Sequence, residues 1–174
     1  MYCALGTLYL GWVKANTGDL AEGVSLLRSG SNEYRALGAE ARSAYHNALL
    51  ARGLVVAGQI DDAATCLETA LELAERIEER WFAAEMYRHK GQLLQHRGHP
   101  EAAEALYRRA LATAAEQQAR LWELRAAVSL GHLCRDRGRY SEVRNIVGPI
   151  YEWFTEGFKI PDLQNAKALL AEMG

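Results

Sequence analysis

Glycines at positions 18, 58, 98 and 138 recur every 40 residues, and other columns of the sequence keep the same phase. The column seven residues before these glycines reads Gly11, Ala51, Gly91 and Gly131, always small. Two residues after them stand Leu20, Ile60, Pro100 and Tyr140, and a further column holds Leu27, Leu67, Tyr107 and Val147. A repeat of this length constrains the fold strongly, because every copy must form the same supersecondary unit and bury its apolar face against a neighbour. The period cuts the chain into units 1–40, 41–80, 81–120 and 121–160, followed by a tail from Pro161 that reads as a capping helix over 161–172. No polar linker interrupts the 174 residues, so one domain is expected.

Each unit reads as two helices around a turn. The turns are Thr17-Gly18-Asp19, Ala57-Gly58-Gln59, Arg97-Gly98-His99 and Arg137-Gly138-Arg139. Glycine there ends the first helix, because it enters the left-handed region without a Cβ clash. Pro100 then falls in the first turn of a helix, where its missing N–H costs nothing. In that helix Ala103, Tyr107, Ala110, Leu111 and Ala114 share one face, as apolar residues of a packed helix do. The small residues of the Gly11 column let two helix backbones approach. Gly148-Pro149 is expected to bend or break the helix that contains it, and Gly157 to close that helix with Phe158 folded back on its last turn. Only helical periodicity is present, so the fold class is all-α.

Within each unit the sequence resembles the tetratricopeptide (TPR) pattern of W-x2-L-G-x2-Y followed by A-x3-F. The third unit gives Tyr87-x2-Lys90-Gly91-x2-Leu94 and Ala103-x3-Tyr107-x2-Ala110; the fourth gives Ala127-x2-Leu130-Gly131-x2-Cys134. The period is 40 where the family has 34, and the late proline is missing. The resemblance implies a right-handed α-solenoid of four TPR-like hairpins with a C-terminal capping helix. A narrower likeness runs through Glu123–Leu130, Tyr151-Glu152-Trp153-Phe154-Thr155-Glu156-Gly157-Phe158 and Asp162-Leu163. These segments look like the TPR-like tail of large bacterial ATPase-coupled regulators that carry a cyclase or winged-helix output. That likeness implies a sensor or scaffold segment of a bacterial signalling protein.

Chemistry is sparse by comparison. No phosphate-binding loop, nucleophile elbow, HExxH or calcium-loop motif occurs, and no base stands beside Ser129, Ser141 or Cys134. No catalytic residue, metal site or cofactor is therefore expected. His89 and His96 are two helical turns apart, too far for tight chelation, and read as surface or packing residues. Twenty Lys and Arg against 22 Asp and Glu leave a net charge of −2, which argues against nucleic acid and anionic membrane as partners. Cys3, Cys66 and Cys134 are odd in number and far apart, as reduced thiols of a cytoplasmic protein would be.

In TPR proteins the first helices of successive repeats line a concave face. By that resemblance Tyr45, Arg52, Arg88, Gln92, Gln95, His96, Arg125, His132 and Arg135 form a partner-binding groove. Guanidinium forks there suit the carboxylates of an acidic peptide or protein. Equally, these arginines pair with Glu85, Glu123 and Asp136 of the same chain, and the sequence leaves both readings open. A groove that closes on a small ligand, through Arg88 and Arg125, is the alternative function. Residues 1–13 are apolar almost all round, so their outer side calls for a cover: an upstream repeat or a second copy, with Leu5, Tyr9 and Trp12 as anchors of a homodimer.

Overall fold

The computed structural model describes residues 2–38 and 40–173. Among them are nine helices and no strand: α1 (Tyr2–Thr17), α2 (Leu20–Ala36), α3 (Ser43–Val56), α4 (Ile60–Arg76), α5 (Ala83–His96), α6 (Pro100–Glu116), α7 (Arg120–Asp136), α8 (Tyr140–Glu152) and α9 (Pro161–Ala171). One hairpin falls in each 40-residue unit, and the second helices begin on the expected column of Leu20, Ile60, Pro100 and Tyr140. The chain groups into two compact units, residues 1–82 with α1–α4 and residues 83–174 with α5–α9.

The turns explain the regularity. Gly18, Gly58, Gly98 and Gly138 all have positive φ, between 73° and 111°. The amide of the next residue reaches back five positions each time: Asp19 to Lys14, Gln59 to Leu54, His99 to Leu94, Arg139 to Cys134. This closure satisfies carbonyls that the helix end would otherwise leave bare. The second helices end through left-handed residues as well, at Gly38, Glu78 and Gln118. The last two are not glycine, so sequence inspection has no reason to single them out.

Within the first unit, α1 and α2 meet backbone to backbone. A Cβ on Gly11 would stand 2.6 Å from the Leu27 amide nitrogen, and one on Gly30 would stand 2.6 Å from that of Leu8. In the second unit the same column admits side chains instead. The Tyr107 ring fills the space over Gly91, and Leu169 of α9 lies against Gly131. Leu124, Leu130, Val143, Val147, Leu163 and Leu169 form the centre of that core. The capping helix buries Leu163, Ala166 and Leu169 as its pattern predicts, with Leu170 half-buried.

Of the bend or break expected at Gly148-Pro149, the break does not occur: α8 runs through both residues to Glu152. The closing role expected of Gly157 is corrected. Gly157 is left-handed, with φ of 76°, yet the helix has already ended at Trp153, so the glycine turns the loop into α9. Phe158 meets Tyr151 edge-on at 6.0 Å between ring centres.

Gly11→Ala and Gly30→Ala should each lower the unfolding free energy by about 1–3 kcal/mol, since a backbone cannot swing aside as a side chain can. Gly6→Ala, on the same helix with nothing within 4 Å of the added methyl, should raise it by about 0.5–1 kcal/mol. Urea unfolding of the three variants checks the contrast.

Candidate functional site

In the second unit, α5 and α7 lie side by side, and the groove arginines there are engaged by their own chain. Glu85 is 1% exposed. Its two carboxylate oxygens take the Nε and an Nη of Arg88 at 2.7 and 3.0 Å, in a fork on one helix turn. Arg125 comes from α7, one repeat later, and reaches Glu85 at 3.3 Å while gripping both oxygens of Asp162 on α9 at 2.8 and 2.9 Å. Burial would raise the Glu85 carboxyl, but the hydrogen-bonded Arg88 outweighs it, with help from His89 and Arg125, and holds the group at about 2. Arg135 bonds Asp136 and Glu172. Of the three acids open as partners, Glu85 and Asp136 take groove arginines, and Glu123 instead takes Arg120.

What this leaves on the face is polar and mostly uncharged. Gln92 and His96 are exposed on α5, and Gln95 accepts the Tyr107 hydroxyl at 2.8 Å. His89 is buried beside Glu85, with Gln92 at 3.0 Å from its Nδ1. His132 is half-buried on α7, and burial pushes its ring below the usual histidine range. Among the described residues no group of three or more His, Cys, Asp or Glu is placed to hold a metal ion.

In the first unit the matching face of α1 and α3 is aromatic. Tyr9, Arg42, Tyr45 and Trp81 line a cleft of about 470 Å³. Tyr45 packs against Trp81 and Phe82 at ring distances of 5.0 and 4.9 Å. Behind them His46 is 1% exposed, wedged edge-on against Tyr34 and Tyr9, and neither of its ring nitrogens has a hydrogen-bond partner among the described residues. Burial, reinforced by the Arg42 charge, pushes it down to about 4, so the ring is neutral. Arg52 lies over the Trp12 ring at 4.4 Å, a cation–π contact.

The N-terminal helix divides differently from expectation. Leu5 and Trp12 are half-buried, whereas the open stripe is Tyr2, Leu10 and Val13, with Tyr9 at its edge. These residues follow helical spacing along the side of α1 turned from α2 and α3. Trp12 is covered by Arg52, so the exposed apolar area belongs to its neighbours.

Sequence inspection missed Arg42, Trp81 and the Arg125–Asp162 grip. A signal for the ion pairs was present: opposite charges about one repeat apart. Arg28–Asp62, Arg76–Glu40, Arg125–Glu85, Arg139–Glu104 and Arg135–Glu172 all join residues 34 to 40 positions apart. The cleft had no such signal, since it gathers residues from α1, the α3 entrance and the segment after α4.

Residues 40–116 match the tetratricopeptide repeat family. The match covers 77 of the 174 residues, less than half of the chain. The fold extends the likeness over almost the whole chain. It is similar to the crystal structure of a Podosopora anserina protein described as a kinesin light chain with nearly identical TPR-like repeats, with a TM-score of 0.73 at 17% identity over 97% of this chain and 83% of that one. BtubC (BKLC) from P. vanneervenii gives 0.78 at 21% identity, over 94% of this chain and 68% of its own. MamA gives 0.61 at 17%, over 86% and 77%. At these identities the likeness is one of fold. No curated protein matches the sequence. Among the described residues no helix is long and apolar enough to cross a membrane.

Two of the buried titratable groups, His46 and Glu85, set an acid response. His46 is depressed from 6.5 to about 4, so the unfolded chain binds its proton first and stability falls as pH drops between those values. Glu85 is depressed from 4.5 to about 2, so its contribution is full above 4.5 and is lost as pH falls toward 2. Each is expected to be worth about 3 kcal/mol by linkage. Unfolding free energy measured against pH should therefore decline in two stages. His46→Leu should flatten the upper one, and Glu85→Gln the lower, with about 3 kcal/mol lost at neutral pH because Arg88 and Arg125 are left facing a neutral amide.

Proposed function

We propose that this chain is a non-catalytic module that binds a protein or peptide along the face of its first helices, as the sensor or scaffold segment of a bacterial signalling or regulatory protein in the cytoplasm. The observation that carries the reading is the pairing of tetratricopeptide hairpins with an open polar face on α5 and α7, where Gln92 and His96 stand free of the core. The scaffold behind that face is rigidified by Glu85, Arg88 and Arg125, so binding need not order it first. Arg88, Arg125 and Arg135 are already paired, and an acidic partner has to compete with Glu85, Asp162, Asp136 and Glu172 for them. Recognition through amides, imidazoles and shape fits this face better than a field of free charge. The likeness to regulator tails over Glu123–Leu130 and Tyr151–Phe158 supports the signalling context.

A photo-crosslinking residue tests the face. Placed at Gln92 or His96 it should join the chain to a protein partner in cell extract, while the same group at Thr65 or Glu68 on α4 should not. Crosslinks arising only from α4 would overturn the reading.

Self-association is the second reading, favoured by the exposed stripe of Tyr2, Leu10 and Val13 on α1. An apolar stripe of this type is a contact for an upstream repeat or a second copy. Sedimentation should show a concentration-dependent dimer, and Leu10→Glu with Val13→Lys should return it to monomer with its helicity intact. A wild-type chain that stays monomeric at high concentration removes the homodimer.

A further inference from the structure

We propose that the cleft between α1 and α3 is a specificity pocket for the C-terminal residue of a partner peptide: an aromatic side chain held between Tyr9, Tyr45 and Trp81, with its free carboxylate on Arg42. The inference rests on the peptide-binding reading and names the chemistry of one subsite.

Three observations meet there. First, the donors are uncommitted. Among the described residues the Arg42 side chain makes no hydrogen bond or ion pair, while its backbone amide is tied to Glu79 Oε2 at 2.8 Å. That sets it apart from the forks of Arg88, Arg125 and Arg135. The Tyr9 and Tyr45 hydroxyls likewise have no partner among the described residues. A guanidinium and two phenols offer a carboxylate both a charge and directed hydrogen bonds.

Second, Arg42 is held at a cost. Its φ is 62°, a left-handed conformation that an L side chain enters only against steric resistance. Glu78 and Gln118 are left-handed as well, so the conformation is one this chain uses elsewhere between helices; at Arg42 it sets the guanidinium at the rim of the cleft. The Glu79 side chain fixes both edges of the cleft, since its other oxygen accepts the Trp81 indole N–H at 2.8 Å.

Third, the walls and size select the ligand. Tyr45 and Trp81 are 5.0 Å apart at their ring centres and already packed on Phe82, so they form a preformed aromatic wall. A volume of about 470 Å³ suits one large side chain with its own carboxylate. An aromatic C-terminal residue carries ring and charge on a single α-carbon, which a cleft of four side chains accommodates. The buried neutral His46 behind Tyr9 and Tyr45 adds no competing charge to the wall.

The test uses the full chain and four probes: a pentapeptide ending in phenylalanine with a free carboxylate, the same peptide as its C-terminal amide, the same peptide ending in alanine, and phenylacetate. Affinities come from calorimetry, and the Trp81 indole N–H is followed by NMR. The phenylalanine acid should bind and shift Trp81, the amide and the alanine peptide should each bind at least tenfold more weakly, and Arg42→Gln should abolish the preference for acid over amide. That variant keeps the backbone bond to Glu79, and unchanged helicity and melting verify its fold. Equal binding of acid and amide, or shifts that bypass Trp81, overturns the proposal. Phenylacetate binding as tightly as the peptide overturns the peptide source and assigns the cleft to small aromatic acids. If the cleft fails while crosslinks from Gln92 and His96 persist, the module still binds protein and only this subsite is lost.

Discussion

A left-handed glycine at the tip of every hairpin is the constraint on which the rest depends. It lets the chain reverse within two or three residues while the next amide satisfies a carbonyl five positions back. Because the reversal is so short, the two helices must lie antiparallel and close, and the residues facing each other across the hairpin have little room. That is why the Gly11 column is small. In the first hairpin the closeness reaches backbone contact through Gly11 and Gly30, and in the third it is filled by the Tyr107 ring against Gly91. One local geometry thus accepts two packing solutions.

Between hairpins, charge takes over part of the task of fixing register. Glu104 on α6 receives Arg137 and Arg139 from the next turn, and Arg28 on α2 reaches Asp62 on α4. The Arg28 pair is solvent-exposed and contributes little energy by itself, whereas the partly buried Glu104 cluster and the Glu85 group are screened less. Glu85 matters most because it is buried: two guanidinium groups converge on a carboxylate that water does not reach. A buried network of this type penalises any arrangement in which one member loses its partner. The same pairing changes what the face can do, since arginines committed to their own chain no longer present free charge to a ligand.

The two units differ in how they treat the face of their first helices. In the second, α5 and α7 show amides and imidazoles above a buried ionic layer. In the first, α1 and α3 show aromatic rings around an arginine with no ion pair among the described residues. Similar hairpins therefore carry different recognition chemistry, as expected where repeats keep their packing positions and vary the residues between them.

The sequence by itself determined the nine-helix layout to within a few residues, because turn glycines, helical periodicity and the 40-residue period are local properties that each hairpin obeys alone. It placed the second helices at Leu20, Ile60, Pro100 and Tyr140 and the capping helix at Pro161. A break at Pro149, one of the two outcomes expected there, does not occur, and α8 continues to Glu152. Only the tertiary structure decided which charges are spent and which are free. Arg88 and Arg42 look alike in the sequence, yet one lies beside a buried acid on its own helix and the other opens into an aromatic cleft. The physical reason is distance: a guanidinium pairs with whatever carboxylate folding brings within about 3 Å, and that neighbour is set by how hairpins stack, not by the residues beside it in the chain.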